Sequence, residues 1–268
     1  MKTRIRWLNP LGASTYDQIF ADMLGGLKRS NTALEVVSLA NTACQHHLEF
    51  HTYEGLVVSD IVRVARDSAV QNFDALVIGC FYDPALLEAR EISGHCIVTA
   101  PCEASVKIAS SLGHQFSVIV GRQKWVPKME STIARYGYAS KLASMRHVGM
   151  GVEDFHRDPQ ETSRRMTQAA IHAVEHDGAE VIILGSTSEF GFYQTLQAQL
   201  RQHFGADIPV IDCAVAALKY AEFMAEVKAQ NHWVPSRVNG GEAPPETAEL
   251  QAWNVFDQPA PIANRVMV

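Results

Sequence analysis

The stretch Ala75 to Pro84 reads ALVIGCFYDP, an apolar run that ends in a glycine and a cysteine and then turns. Four consecutive apolar residues, Ala75 to Ile78, are too few for an isolated helix and are typical of a strand buried on both faces of a parallel sheet. Cys80 follows this strand, and open α/β sheets bind their ligands at the carboxyl ends of strands. Cys80 is therefore a candidate functional residue.

A second stretch repeats this pattern later in the chain. Ala179 to Phe192 reads AEVIILGSTSEFGF, and the position that matches Cys80 is occupied by Ser186. Each stretch predicts a strand that runs into a glycine, then a cysteine or serine, then the start of a helix. We predict that the side chains of Cys80 and Ser186 face each other across one ligand.

The composition is that of an ordinary globular protein. The chain has 268 residues, 47% of them hydrophobic, and a net charge of −6. It lacks the long cluster of Lys and Arg residues that binding to nucleic acid or to a membrane surface requires, so we predict a small-molecule partner. No apolar stretch approaches the roughly 18 to 20 residues of a membrane span, and the start lacks a signal sequence. We predict a cytoplasmic protein whose five scattered cysteines are reduced.

Apolar runs alternate with amphipathic segments along the chain, which predicts parallel sheets with helical crossovers. The predicted strands are 4–8, 34–39, 75–79, 96–100, 116–120, 145–149, 181–184 and 209–211, and the predicted helices include 15–27, 56–69, 103–112, 124–136, 160–175 and 214–229. Two such series predict two similar lobes, one formed by residues 1–102 and 212–268, the other by residues 103–211. The tail from Trp233 is turn-rich and aperiodic, so it should wrap the surface or a neighbouring subunit, or be partly disordered.

We call residues 79–84 the first corner and residues 185–192 the second corner. The two corners also provide backbone donors. We predict that N–H groups of Phe81 and Tyr82, and of Thr187 and Ser188, point toward the ligand with the positive end of a helix behind them. They would bind a carboxylate, or the enolate oxygen that develops when a proton leaves the carbon beside a carbonyl. Two facing thiols, one acting as base and one as acid, would invert a stereocentre there, since a helix N-terminus lowers the pKa of a thiol.

Short motifs recur in a fixed order along the chain. They are Asn9-Pro10, His47-Leu48-Glu49 before Tyr53-Glu54, Gly79 to Pro84, Glu103-Ala104, Phe116 to Ile119, Thr187 to Phe192, and Pro209 to Asp212 before an alanine-rich helix. In this order they resemble the cofactor-independent aspartate/glutamate/hydantoin racemase superfamily, most closely its hydantoin racemase branch. The resemblance covers the chain to about residue 229.

The resemblance implies two pseudo-symmetric lobes, no pyridoxal phosphate or metal, a homo-oligomer, and one catalytic cysteine in each lobe. Cys80 matches the first of these cysteines, whereas Ser186 stands at the second position. Asn9 and His47 are candidate substrate contacts, and the alternative for Asn9 is that it only closes the turn after the first strand. The implied substrate is a 5-substituted hydantoin or a similar cyclic imide or amide.

Ser186 is a departure from this pattern, because a hydroxyl is a far weaker acid than a thiol, whose pKa is about 8.5. Either the serine was introduced for a cysteine to stall a racemase, or the chain naturally uses one thiol. The second case predicts an enzyme on a related ring, such as a thiohydantoin desulfhydrase or another lyase or hydrolase. A third alternative, of a different class, is a non-catalytic small-molecule binding protein.

Arg122 is a further departure, since related racemases have small hydroxyl residues there. It follows Gly121 at the end of a predicted strand, and we predict that both lie at the substrate. As a hypothesis, the Arg122 guanidinium binds an acidic substituent of the substrate through a bidentate contact.

Other polar residues have two interpretations each. Asp83 either contacts the ligand or stabilises a turn and helix start, and the second is favoured; Glu189 falls in the first turn of a predicted helix. Cys44, His46, His47 and His51 could suggest a metal site, with His47 and His51 on one helix face, but the resemblance implies none and we predict none. Cys44, Cys96, Cys102 and Cys213 are predicted to pack as small apolar residues.

Overall fold

The computed structural model describes residues 2–40, 46–245, 252–254, 256 and 259–268. The fold is α/β, with two mostly parallel sheets flanked by helices, which confirms the predicted fold class. The chain divides into two compact units. The first comprises Met1–Gly79, Pro84–Ala100 and Leu218–Val268, and the second comprises Cys80–Asp83 and Pro101–Ala217.

The elements alternate along the chain. The strands are β1 Thr3–Asn9, β2 Thr32–Leu39, β3 Ala75–Ile78, β4 Ile97–Thr99, β5 Phe116–Val120, β6 Leu142–His147, β7 Val181–Leu184, β8 Val210–Asp212 and β9 Ile262–Met267. The α-helices are α1 Asp17–Leu27, α2 His51–Val70, α3 Leu86–Ile92, α4 Pro101–Leu112, α5 Val126–Arg135, α6 Pro159–Asp177, α7 Tyr193–Phe204 and α8 Cys213–Asn231.

The central strands carry continuous apolar runs because both of their faces are covered. All residues of β3, β5 and β7 are buried, as parallel strands with helices on both sides require. Burying one Val, Leu or Ile side chain stabilises the fold by about 1.5–3 kcal/mol. These runs therefore fix which segments lie at the centre of each sheet.

The two sheets have the same topology. The first has the order β4-β3-β1-β2-β9 and the second β6-β5-β7-β8. Numbered within its own unit, each set of four parallel strands has the order 2-1-3-4. In both, the direction of winding reverses between the first and third strands, β1 and β3 in one sheet, β5 and β7 in the other.

The end of the tail differs from the sequence prediction. Residues Ile262–Met267 form β9, which pairs antiparallel with β2 at the edge of the first sheet. The prediction of an aperiodic tail is therefore wrong at its end. The sequence IANRVM has only weak alternation, and a strand of this kind is stabilised by the edge that it covers more than by its own pattern. Among the described residues, no helix is long and apolar enough to cross a membrane.

Candidate functional site

The predicted site residues lie at the points where the winding of the sheets reverses. Asn9 ends β1 and Cys80 follows β3, at the carboxyl edge of the first sheet. Gly121 and Arg122 follow β5, and Ser186 follows β7, at the same edge of the second sheet. In doubly wound sheets the ligand crevice opens outside the carboxyl ends of the strands at this reversal. The topology thus gives Cys80 and Ser186 equivalent positions.

The first corner is a turn rather than the start of an α-helix. The N–H of Asp83 donates to the carbonyl of Cys80 at 3.0 Å, and φ is 50° at Asp83 and 53° at Ala85. Left-handed residues cannot continue a right-handed helix, so α3 begins only after them. The prediction that the N–H groups of Phe81 and Tyr82 open a helix is wrong. The Cys80 side chain is partly exposed, whereas Phe81 and Tyr82 are buried.

Asp83 caps a helix that lies elsewhere in the chain. Its two carboxylate oxygens accept hydrogen bonds from the backbone N–H groups of Cys102 and Glu103, both at 2.9 Å. These amides lie in the first turn of α4, where N–H groups have no partner within the helix. The hydroxyl of Tyr136 donates to the same carboxylate at 2.8 Å. Burial raises the pKa of Asp83 to about 7, against the opposing effect of these three donors.

The second corner is a capping box. The Ser186 hydroxyl accepts from the N–H of Ser188 at 3.3 Å, and the Ser186 N–H donates to Glu189 Oε2 at 3.2 Å. The Ser186 and Ser188 hydroxyl oxygens lie 2.7 Å apart in a further hydrogen bond. Thr187 to Glu189 form one 3₁₀ turn, and α7 begins only after it. Glu189 thus lies in the first turn of a 3₁₀ helix, not of an α-helix.

The two corners share a buried acid three residues after the Cys or Ser. Asp83 follows Cys80 and Glu189 follows Ser186, and in each case the N–H of the acid donates to the carbonyl of the Cys or Ser at 3.0 Å. Both acidic side chains are buried. Burial raises the pKa of Glu189 well above its ordinary value, and the negative charge of Asp212 adds to this effect.

Asp212, the last residue of β8, caps the N-terminus of α8. Its Oδ1 accepts from the N–H groups of Ala214 at 2.9 Å and Val215 at 3.1 Å, in the first turn of α8. Burial raises the pKa of Asp212 to about 6. Within the described residues, Asp212 Oδ2 and Glu189 Oε1 are buried without a hydrogen-bond partner. The N-terminus of α8 is therefore capped by Asp212 and not by Glu189, whereas the N-terminus of α4 is capped by Asp83.

Cys213 lies close to both corners. Burial is the main cause of the raised pKa of its thiol, and charges on Asp212, Glu189, Asp83 and Cys80 add to it. These four residues are thus within electrostatic range of one sulfur atom. Cys80–Asp83 also belongs to the compact unit that contains Ser186, and not to the unit that contains β3.

Asn9 has both ends of its side-chain amide held. Trp7 Nε1 donates to Asn9 Oδ1 at 2.9 Å, and Asn9 Nδ2 donates to Asp17 Oδ1 at 2.5 Å. All three side chains are buried. The orientation of the Asn9 amide is thus fixed by its neighbours in the first unit.

Gly121 is required by packing. A Cβ atom there would overlap the carbonyl oxygen of Met150 and the ring of Trp125. Arg122 is exposed, directly after this tight contact. Neither finding tests their predicted contact with a substrate, which stays a prediction.

His47 and His51 do not share a helix face, because α2 begins at His51 and His47 precedes it. The ring centroid of His47 lies 6.0 Å from that of Phe50 and 5.6 Å from that of Tyr53. Cys44, the first member of the suggested metal cluster, lies outside the described residues. Over the part of the chain that the structure describes, no three His, Cys, Asp or Glu side chains form a group that could hold a metal ion.

Three residues near the corners were not predicted. Tyr136 binds Asp83, and His156 Nε2 bonds the carbonyl oxygen of Ser188 at 2.9 Å while its ring stacks on Phe190 at 4.2 Å. Neither has a local sequence signal. The helix cap at Asp212 could have been found, because an acid between a short apolar strand and an alanine-rich helix is a typical N-cap.

Comparisons with known proteins agree with this architecture. Residues 5–221 match the model of the Asp/Glu/Hydantoin racemase family. The chain is 31% identical over 199 residues to the hydantoin racemase of Pseudomonas sp. (strain NS671), covering 74% of this chain and 76% of that protein. It is 32% identical over 169 residues to the hydantoin racemase of Rhizobium meliloti, covering 63% and 67%.

Among solved structures, the allantoin racemase from Klebsiella pneumoniae superimposes with a TM-score of 0.81 at 22% identity, over 94% of this chain and 98% of that one. This likeness supports the fold. The hydantoin racemase relatives confirm the predicted enzyme class, an isomerase of the racemase type. Because the matching model spans most of the chain and the 31% identical relative is covered over three quarters of its length, the chain belongs to the Asp/Glu/hydantoin racemase family.

Proposed function

We propose that this protein is a cofactor-independent racemase-type enzyme that acts on 5-substituted hydantoins or similar cyclic amides by proton transfer. Cys80 is the base, and Ser186 occupies the position of the second acid–base group. The partner is a small molecule. It is contacted by two sets of groups: the residues Asn9, His47, Gly121 and Arg122, and the backbone N–H groups of Phe81, Tyr82, Thr187 and Ser188. The assembly is a homo-oligomer, which light scattering after size exclusion would test.

The observation that carries this proposal is the equivalence of the two corners. Cys80 and Ser186 follow the third strand of two sheets with the same 2-1-3-4 order. Each is followed three residues later by a buried acid whose N–H closes the same turn. Proton removal from one face of a carbon and delivery to the other requires two acid–base groups on opposite sides of the substrate. Two equivalent positions in one chain supply such a pair.

The chemistry differs between the two positions. The Cys80 thiolate would remove the proton from the ring carbon beside the carbonyl, which leaves a thiol and an enolate whose oxygen needs hydrogen-bond donors. Inversion then requires a proton on the opposite face. The Ser186 hydroxyl is a weak acid, and it is already hydrogen-bonded to Ser188. Proton removal at Cys80 should therefore be faster than full inversion.

This serine also supports a second candidate function, an enzyme that uses one thiol. In that case the Cys80 thiolate adds to a carbonyl or thiocarbonyl carbon of a related ring, a ring nitrogen or sulfide leaves from that carbon, and water releases the product from the thiol, as in a thiohydantoin desulfhydrase or another lyase or hydrolase. Ser186 need not transfer a proton. The hydrogen bonds of Ser186 within its capping box favour this alternative.

The two candidates give different products. Each enantiomer of a 5-substituted hydantoin, allantoin included, is incubated with the enzyme in D2O, and ring C–H exchange and optical rotation are followed beside a sample without enzyme. The racemase predicts exchange that is lost in Cys80→Ala and retained in Cys96→Ala, a buried cysteine of the first unit. Ring opening without exchange, or sulfide release when the matching 2-thiohydantoin is supplied as substrate, would support the one-thiol enzyme instead.

A binding protein without activity is distinguished by alkylation with iodoacetamide. Cys80 is partly exposed, whereas Cys96, Cys102 and Cys213 are buried, and burial raises the pKa of all three buried thiols. An acid–base Cys80 should react below pH 8, before the buried cysteines. If Cys80 reacts only at the alkaline pH of an ordinary thiol, it is not activated, and the binding protein is favoured.

A further inference from the structure

The strand β9 lies outside the part of the chain that matches the family model, which ends at residue 221. It pairs with β2 in the first unit, with Asn264 opposite Ser38. Half-buried and exposed residues alternate along β9, and Asn264 is one of the half-buried residues. This places one amide side chain of the tail against the interior of the first unit.

Asn264 contacts a buried acid. Its Nδ2 donates to Asp17 Oδ2 at 3.0 Å, and Asp17 is the first residue of α1. Asp17 is fully buried, with 0% of its surface exposed. A buried carboxylate is stable only when hydrogen bonds replace its lost hydration. Asn264 thus supplies one of the donors that Asp17 requires.

The other oxygen of Asp17 connects to the end of β1. Asp17 Oδ1 accepts from Asn9 Nδ2 at 2.5 Å, and Asn9 Oδ1 accepts from Trp7 Nε1 at 2.9 Å. The four side chains Asn264, Asp17, Asn9 and Trp7 form one continuous chain of hydrogen bonds, which we call the tail relay. Its direction is fixed, because the Trp7 indole can only donate and a carboxylate can only accept.

The tail relay ends against the residue that precedes Cys80. A Cβ atom at Gly79 would lie 2.6 Å from Trp7 Nε1 and 2.7 Å from Trp7 Cε2, so the indole packs directly on the Gly79 backbone. The Gly79 N–H also donates to the carbonyl of Leu8 at 2.8 Å. The position of the Trp7 ring therefore determines the path of the chain as it enters Cys80.

We propose that Asn264 is a positioning residue: through the tail relay, the C-terminal strand sets the orientation of Asn9 and the path of the chain into Cys80. The effect on turnover rests on the proposed function, whereas the relay itself does not. Small displacements of a reacting group reduce turnover strongly, by up to about a hundredfold for 1 Å. The tail is thus an integral part of the proposed catalytic arrangement.

The test is the variant Asn264→Asp, which places a second carboxylate beside Asp17 and removes the donor. The matched control is Ala263→Asp, which adds the same charge at the adjacent, exposed position of β9. The suppressor is Asp17→Asn combined with Asn264→Asp. In this double variant the residue at 17 accepts from Asn9 and donates to the residue at 264, so both hydrogen bonds are restored with one carboxylate.

The first readout needs no substrate. The indole N–H signal of Trp7 in a ¹H–¹⁵N NMR spectrum, assigned with Trp7→Phe, should shift in Asn264→Asp, stay in place in Ala263→Asp, and return in the double variant. The rate of Cys80 alkylation should change and recover in the same way. An unchanged indole signal in Asn264→Asp, or a shifted signal that the double variant does not restore, would overturn the relay.

The second readout is activity. In Asn264→Asp, kcat/KM for C–H exchange should fall about tenfold or more, because the donor to Asp17 is replaced by a second carboxyl group. The double variant should recover most of it. If the indole signal responds as predicted while no variant, nor the unaltered protein, exchanges the ring proton, the proposed function fails and the relay stands. If exchange is normal in Asn264→Asp despite a shifted indole signal, the positioning role is wrong.

Discussion

Tyr136 donates a hydrogen bond from its hydroxyl to the carboxylate of Asp83, with 2.8 Å between the two oxygen atoms. This contact joins the end of α5 to the residue that closes the first corner. Burial raises the pKa of the Tyr136 hydroxyl, and the Asp83 charge raises it further, so the hydroxyl remains a donor. The corner that contains Cys80 is therefore stabilised by a residue distant in the sequence.

Removing this hydroxyl should destabilise the fold. In Tyr136→Phe the free energy of unfolding should fall by about 1.5–3 kcal/mol, the range for a hydrogen bond to a charged group. The loss should be larger at pH 8, where Asp83 is ionised, than at pH 5.5, since the pKa of Asp83 is about 7. Urea unfolding at both pH values measures it. Tyr138→Phe is the matched control and should change the stability by less than about 0.5 kcal/mol.

The raised pKa of Asp83 predicts how stability depends on pH. Between the ordinary value of 3.8 and about 7, the folded protein holds this proton more often than the unfolded chain does. The free energy of unfolding that Asp83 contributes is thus fully present below pH 3.8 and is lost as pH rises through about 7.

Asp83→Asn removes this titration, so its stability should fall less steeply than that of the unaltered protein between pH 4 and 7. The variant should be less stable at every pH, because its amide has one acceptor oxygen for the two N–H groups of α4, and this loss leaves the difference in slope unchanged. Urea unfolding at half-unit pH intervals gives both curves. Parallel curves would mean that Asp83 has an ordinary pKa.

Gly79→Ala should disturb the first corner. The added methyl group would lie 2.6 Å from Trp7 Nε1, so the indole must move, at a cost of about 1–3 kcal/mol. Gly26→Ala is the control, because nothing lies within 4 Å of a Cβ at that exposed position of α1. It should stabilise the protein by about 0.5–1 kcal/mol. Thermal unfolding of both variants is the measurement, and equal effects would contradict the packing of Trp7 on Gly79.

Arg122→Ala should alter specificity. If the exposed guanidinium binds an acidic substituent, the apparent dissociation constant for hydantoins with a carboxylate side chain should rise about tenfold or more. The apparent dissociation constant for hydantoins with apolar side chains should stay the same. Competition experiments with matched acidic and apolar substrates measure both. Equal changes for the two classes would show that Arg122 does not select for charge.

The sequence predicted the strands better than the contacts between them. The apolar runs at β3, β5 and β7 are typical of central parallel strands, so the fold class and the corners at Cys80 and Ser186 followed from them. The partners of Asp83 could not be predicted, because Tyr136 and the first turn of α4 approach it only after folding.

The two errors of the sequence prediction, the helix start at the first corner and the aperiodic end of the tail, have different causes. The positive φ of Asp83 and Ala85 delays α3, although an Asp-Pro pair also fits a helix start. The residues of β9 form a strand because β2 offers an open edge, and this tertiary context is absent from the segment itself. The predicted substrate contacts of Asn9, His47 and Arg122 stay predictions.

The proposed geometry predicts which face of the substrate each position reaches. If Cys80 and residue 186 stand on opposite sides of one ring carbon, the unaltered protein should exchange the C–H of one enantiomer faster than it inverts it. Ser186→Cys should accelerate inversion at least about tenfold, because a thiol is a competent acid on the second face. Loss of exchange in this variant would favour the one-thiol enzyme.

The most direct test moves the thiol. Each enantiomer of one 5-substituted hydantoin is incubated in D2O with the unaltered protein and with the double variant Cys80→Ser, Ser186→Cys, and deuterium at the ring carbon is measured by mass spectrometry. With Cys80 and Ser186 on opposite faces of the substrate, the two proteins should exchange opposite enantiomers. Exchange of the same enantiomer by both proteins would contradict the placement of Cys80 and Ser186 on opposite faces of a shared substrate.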